Sequence, residues 1–148
     1  MDRLKQLREV INSALSEYES PWGYVHSYGV SAACVLLAKK RGLDPEMAAV
    51  CGMLHDIATY QTGEHTDHAP RSAVQAERIL TEIGCFTPAE IELVRDAIAM
   101  HAAKDAVDGD MAECLKDADV LQHHLCNPGL KSNFPERLKS VLAELDLP

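Results

Sequence analysis

Apolar residues recur every three to four positions along most of the chain, separated by short polar stretches. Leu4, Leu7, Val10 or Ile11, and Ala14 or Leu15 give residues 2–19 the apolar stripe of an amphipathic helix, which Ser20-Pro21 ends. From about Trp22 to Arg41 the sequence is apolar on nearly every side after Tyr28, and Gly42 supplies a stop, so the segment predicts a central, buried helix. Asp44-Pro45 pairs a capping residue with proline at the first helical position, and Met47, Val50, Cys51 and Leu54 carry a third helix to about Ile57.

Residues 58–68, ATYQTGEHTDH, lose the periodicity, contain Gly63 and predict a polar loop suited to chemistry. Ala73, Ala76, Ile79, Leu80 and Ile83 mark a fourth helix, stopped by Gly84. Thr87-Pro88-Ala89-Glu90 reads as a capping box opening a fifth, with Ile91, Val94 and Ile98 facing inward. After a polar turn at 105–110, a sixth helix runs from about Met111 to Cys126; Asn127-Pro128-Gly129 breaks it, and Pro135 to Leu145 can form a last one. No run of β-branched residues alternates as a strand would, and no repeat or low-complexity linker occurs. The expected fold is all-α: one compact helical bundle of about six to seven helices spanning residues 1–148.

Composition narrows the function classes. At 148 residues and 47% hydrophobic, the chain can bury a core without disulfides. Its net charge of −9 comes with no Lys/Arg cluster, which argues against a duplex nucleic-acid partner. A phosphorylated small molecule stays compatible, because a bound cation reverses the local field. Cys34, Cys51, Cys85, Cys114 and Cys126 are scattered and never form a Cys-x-x-Cys pair, which fits free thiols in a reducing cytoplasm. No signal peptide or span of roughly 20 apolar residues is present, so a soluble cytoplasmic protein without a membrane partner is expected. Nothing in the composition opposes a homo-oligomer.

Several polar groups fall where the helical pattern asks for apolar ones. His26 opens the apolar second helix, and His55-Asp56 closes the third directly after Met53-Leu54. His101 extends the stripe Ile91, Val94, Ile98, and Asp119 lies on the line Ala112, Leu115, Asp119, Cys126. Buried carboxylates need basic partners or a cation, and no Arg or Lys stands at a neighbouring inward position. Imidazoles and carboxylates converging from several helices suit a divalent transition metal. A single inward histidine is more often a hydrogen-bonded core residue than a ligand; the convergence of four helices favours the metal.

The order His26, His55-Asp56, Asp119 resembles the H…HD…D pattern of the HD-domain superfamily of metal-dependent phosphohydrolases, over roughly residues 22–128. His68-Ala69-Pro70 with Ser72-Ala73, and Ala97-Ile98-Ala99-Met100-His101, resemble the segments that add histidines in HD proteins with two metals. The likeness extends to small bacterial HD hydrolases of the dinucleoside-polyphosphatase type, which use six ligands around two irons. It implies one metal on His26, His55, Asp56 and Asp119, and a second on His68 and His101, bridged by Asp56. One or two divalent ions are implied, iron first, with Mn, Zn, Ni or Co as alternatives. Two departures stand out: Ile57-Ala58-Thr59 follows the HD pair where many relatives carry a lysine, and Val120-Leu121-Gln122-His123-His124 lacks the acidic residue of the dinucleoside-polyphosphate enzymes.

The resemblance implies attack of a metal-activated hydroxide on phosphorus in a nucleotide, dinucleoside polyphosphate or other small phosphorylated compound, with Asp56 as the catalytic residue that fixes the metals. Arg71 and Lys104, each three residues past a histidine of the set, are the candidates for binding substrate phosphate. Glu64 and His65 are candidate proton donors, and His123, four residues past Asp119, either orients that carboxylate or is an ordinary interior histidine. Two other functions share this pattern: a diiron HD-type oxygenase, and a non-catalytic nucleotide-binding signalling module.

Overall fold

Three helices begin at a side-chain cap that the sequence supplies. Asp2 accepts hydrogen bonds from the amides of Leu4 and Lys5 at the start of α1 (Arg3–Glu17), and Asp44 does the same for α3 (Pro45–Leu54). Thr87 and Glu90 close a reciprocal capping box on α6 (Pro88–Met100). Gly42, Gly63 and Gly84, all at positive φ, end α2 (Trp22–Arg41), α4 (Ile57–Thr62) and α5 (His68–Ile83). With α7 (Asp110–Cys126) and α8 (Pro135–Glu144), the computed structural model, which describes residues 2–148, contains eight helices among the described residues and no strand.

The all-α expectation holds, with one more helix than the six to seven anticipated. The addition is α4, in the segment expected to be a loop. Its six residues are too few to display a period, and packing makes it helical: Ala58 and Tyr60 are buried, and the Tyr60 ring meets Tyr18 edge-on at 5.1 Å. The third helix correspondingly stops at Leu54 and not at Ile57, which places His55-Asp56 in the break between α3 and α4.

The central layer is α2 against α3 and α7, flanked by the α5–α6 pair, with α1 and α8 packed at the ends. Leu7, Ile11 and Leu15 of α1 are buried while Val10 is exposed, which settles the face of that helix. The crossing of α2 and α3 is unusually tight at Gly52: a Cβ there would lie 2.5 Å from Ser31 Cα and 2.6 Å from its backbone nitrogen. Cys34, Cys51 and Cys114 are buried free thiols. Among the described residues no helix is long and apolar enough to cross a membrane.

Candidate metal centre

Three helices and two helix ends bring the candidate residues together. His26 lies in the second turn of α2, Asp119 in the middle of α7, and His101 directly after the last residue of α6. At the α3–α4 break His55 keeps helical angles, whereas Asp56 turns out of them (φ −115°, ψ 17°). Asp56 stands at the N-cap of α4, yet its side chain caps nothing. Instead Ser72 of α5 accepts the hydrogen bond from the Ala58 amide at 3.1 Å, which frees the Asp56 carboxylate to face the histidines. His68 opens α5 after Asp67, whose left-handed backbone (φ 49°) turns the chain there.

The two oxygens of Asp56 face two groups of donors. Oδ2 lies 3.3 Å from His26 Nε2 and 3.2 Å from His55 Nε2; Oδ1 lies 3.2 Å from His101 Nε2 and 3.7 Å from His68 Nε2. Asp119 Oδ1 completes the first group at 3.2 Å from His26 Nε2. All six residues named from the sequence therefore converge. His26, His55 and His101 are buried, and only His68, a third exposed, stands at the edge.

The hydrogen bonds show why this set suits a cation. His55 Nδ1 donates to the Gly52 carbonyl and His101 Nδ1 to the Ile98 carbonyl, each at 2.7 Å. A carbonyl can only accept, so both rings carry their proton on Nδ1 and turn the Nε2 lone pair inward. His26 Nδ1 contacts Gln122 Oε1 at 2.7 Å in the same arrangement, and His26 Nε2 and His55 Nε2 meet at 3.0 Å. Asp56 Oδ1 and Asp119 Oδ1 are buried without a hydrogen-bond partner. Lone pairs and orphaned carboxylate oxygens at such separations repel unless a positive charge lies among them, and imidazole plus carboxylate is the donor set of a divalent transition ion. Two triads have the required spacing: His26, His55, Asp119 and His55, Asp56, His101.

A family model for the HD domain matches residues 23–123, a segment that holds all six candidate residues. The chain belongs to the HD-domain family. Members of this family bind divalent metals and are in general metal-dependent phosphohydrolases. No curated protein and no solved structure matches the chain.

Within the cluster itself a proton balances part of the carboxylate charge. Burial disfavours the His26 imidazolium, but Asp119 and Asp56 beside it prevail and push its pKa up to about 10. Asp56 and Asp119 are buried too, and the surrounding histidines, with Lys104 at Asp119, hold both well below the usual carboxylate range. Burial lowers His101, which is neutral at pH 7. Metal binding near neutrality must therefore release the His26 proton. Calorimetric titration in buffers of different ionisation enthalpy is expected to show about one proton released per first metal at pH 8, declining as pH rises through 10. Zero release at pH 8 would contradict this site.

The expectation that no basic residue neighbours the inward carboxylates is overturned. Lys104 is nearly buried and donates to Asp119 Oδ2 at 2.8 Å and to the His101 carbonyl at 2.7 Å. Its chain lies outside any helix, so no periodicity could reveal its direction. Arg137 of α8 holds this segment by donating to the Lys104 and Ala106 carbonyls while pairing with Asp117 and Glu113. A second buried lysine, Lys116, pairs with Asp108 and Glu113 and belongs to the scaffold.

His123 is not interior. Its side chain is 56% exposed, 3.8 Å from Asp119 Oδ1, and its ring lies close to those of His26 and Trp22, while Trp22 stacks on His26 at 5.5 Å. Arg71 donates to the Thr66 carbonyl and the Thr62 hydroxyl and lines a separate shallow depression with Asp67 and Gln75. Glu64 and His65 are exposed, Glu64 lying 3.6 Å from Arg71. Beside Asp119 a cavity of about 260 Å³ opens, lined among others by Lys104, His123, His124, Asn127, Lys131 and Phe134. Its wall from Asn127 onward lies beyond the matched family segment.

Proposed function

We propose that this HD domain hydrolyses a phosphate ester or anhydride of a small molecule, a nucleotide being the first candidate, with the six-residue cluster as its metal centre. The observation that carries the reading is Asp56, whose two oxygens face two separate groups of imidazoles while its Oδ1 has no other partner. A bound divalent pair lowers the pKa of a water to near neutrality and polarises a phosphoryl oxygen. Iron is the first candidate for the native metal, with Mn, Zn, Ni and Co as alternatives for the same donors.

The chain's own residues supply the rest. Lys104 ties down the outer oxygen of Asp119, so that Oδ1 alone faces the cluster, and offsets one of the two carboxylate charges. Lys131, exposed and without an ion pair among the described residues, is free to meet an incoming phosphate at the cavity mouth. Asn127, His123 and His124 offer hydrogen bonds there, and Phe134, with Lys104 Nζ 5.6 Å from its ring centroid, offers an apolar face. The cavity volume, about 260 Å³, lies just below the usual range for ligand sites, which favours a ligand of mononucleotide size over a dinucleoside polyphosphate. Arg71 is kept as a second candidate phosphate contact, reachable once it leaves the 62–66 segment.

Purified without chelator, the protein is expected to carry transition metal and to release phosphate from mononucleotides faster than from dinucleoside polyphosphates. In His68→Ala the metal content should fall from two to one per chain, because the second group loses its exposed ligand and retains only His101 and Asp56. Bound metal without phosphate release from any nucleotide would reject the hydrolase in favour of a dioxygen-activating centre or a signalling module. Absence of metal would reject the centre itself.

A further inference from the structure

Of the three buried imidazoles, two have their orientation fixed by backbone carbonyls, and His26 alone is held by a side chain. That side chain is Gln122, one turn beyond Asp119 on α7 and 2% exposed. An amide presents an acceptor at one end and a donor at the other, and both ends are engaged here. Oε1 faces His26 Nδ1 at 2.7 Å, while Nε2 donates to Cys126 Sγ at 3.1 Å. With Oε1 toward His26 both ends of the amide meet a complementary group, whereas the reverse orientation would set an N–H donor against a His26 Nδ1–H.

Room for this arrangement comes from the facing helix. A Cβ on Gly29 of α2 would lie 2.8 Å from Gln122 Cγ and 3.1 Å from its Nε2. Gly29 has no other evident task, since it lies in the middle of α2, where glycine only weakens the helix.

We propose that Gln122 is a positioning residue of the metal centre: held by Cys126 and accommodated by Gly29, its amide keeps the His26 proton on Nδ1 and Nε2 directed at His55, Asp56 and Asp119. The proposal rests on the metal-centre reading above. It assigns a task to a residue of the 120–124 segment, which lacks an acid, and it adds a consequence: a neutral acceptor leaves His26 a weaker donor than a carboxylate in that place would make it.

Co²⁺ serves as the probe, because its visible absorption reports coordination independently of any substrate. Gln122→Leu, which removes the acceptor at similar volume, is expected to weaken Co²⁺ binding by about 10- to 100-fold and to change the spectrum. Gln122→Glu restores an acceptor and should bind at least as tightly as wild type. Gly29→Ala, which displaces the amide without deleting it, should fall between them and keeps the proposal testable if the leucine variant does not fold. Binding within twofold of wild type in both Gln122→Leu and Gly29→Ala, with unchanged spectra, would overturn the assignment; so would a glutamate variant as weak as the leucine one. Failure of the wild-type protein itself to bind Co²⁺ would instead overturn the metal centre, and the proposal with it.

Discussion

Asp56→Ala is expected to strip the protein of both metals and to lower kcat/KM by at least about a thousandfold, on the order of 4 kcal/mol of transition-state stabilisation. The effect should exceed that of removing any single histidine, because this carboxylate turns a separate oxygen to each group of donors, Oδ2 toward His26 and His55 and Oδ1 toward His101 and His68. Metal analysis by mass spectrometry, alongside phosphate release, checks it. The fold should survive, since the Asp56 side chain caps no helix and Ser72 already satisfies the Ala58 amide. Without Asp56, His26 keeps Asp119, the larger of the two charges that raise it. An Asp56→Ala protein that keeps two metals per chain, or most of its activity, would contradict the bridging role.

The second large effect is expected at Gly52, which touches no candidate ligand with a side chain of its own. Alanine there would thrust a methyl group to within 2.5–2.6 Å of the Ser31 backbone, where no rotamer change can relieve it, so α2 and α3 must part. Overpacking of this kind costs about 3 kcal/mol, which for a chain of this length lowers Tm by roughly 6–12 °C. The site should suffer as well. The Gly52 carbonyl fixes His55, and the tight crossing is what allows His26 of α2 and His55 after α3 to meet at 3.0 Å. Weakened metal binding together with a lowered Tm is therefore the expected signature of Gly52→Ala. Gly129→Ala, with open space at its Cβ, is the matched control and should change Tm by no more than about 2 °C. If the two variants melted alike, close helix approach at Gly52 would not be what supports the centre.

Much of this molecule could be read from its sequence, because the relevant signals are local. Caps at Asp44 and Thr87, stops at Gly42 and Gly84, and the three-to-four-residue spacing of apolar side chains act within a few residues of themselves, and they delimited α2, α3, α5 and α6 to within a turn or so. The candidate ligands were visible for a related reason. A histidine or aspartate on an otherwise apolar stripe is costly to bury, and His26, His55, Asp56, His101 and Asp119 each break such a stripe at a stated position. His68 could be reached only through the likeness of its surroundings to a family segment, since it opens its helix and interrupts no pattern.

The remainder depended on neighbours distant in the chain. Helix α4 is six residues long and gains its stability from burying Ala58 and Tyr60 against other helices, so no period within it could announce it. Lys104 became a partner of Asp119 because Arg137, 33 residues away, holds the irregular segment that carries it. His123 took the exposed side of the centre and Gln122 the buried one. Both stand within a turn of Asp119, and only the packing of α7 against Gly29 of α2 decides which side chain turns inward. The sequence by itself determined which residues must be sheltered and compensated, because the cost of burying an uncompensated charge belongs to the residue. Tertiary structure decided the partners that orient them, because a hydrogen bond requires two groups to meet, and helix packing alone brings His26 and Gln122, 96 residues apart, to 2.7 Å.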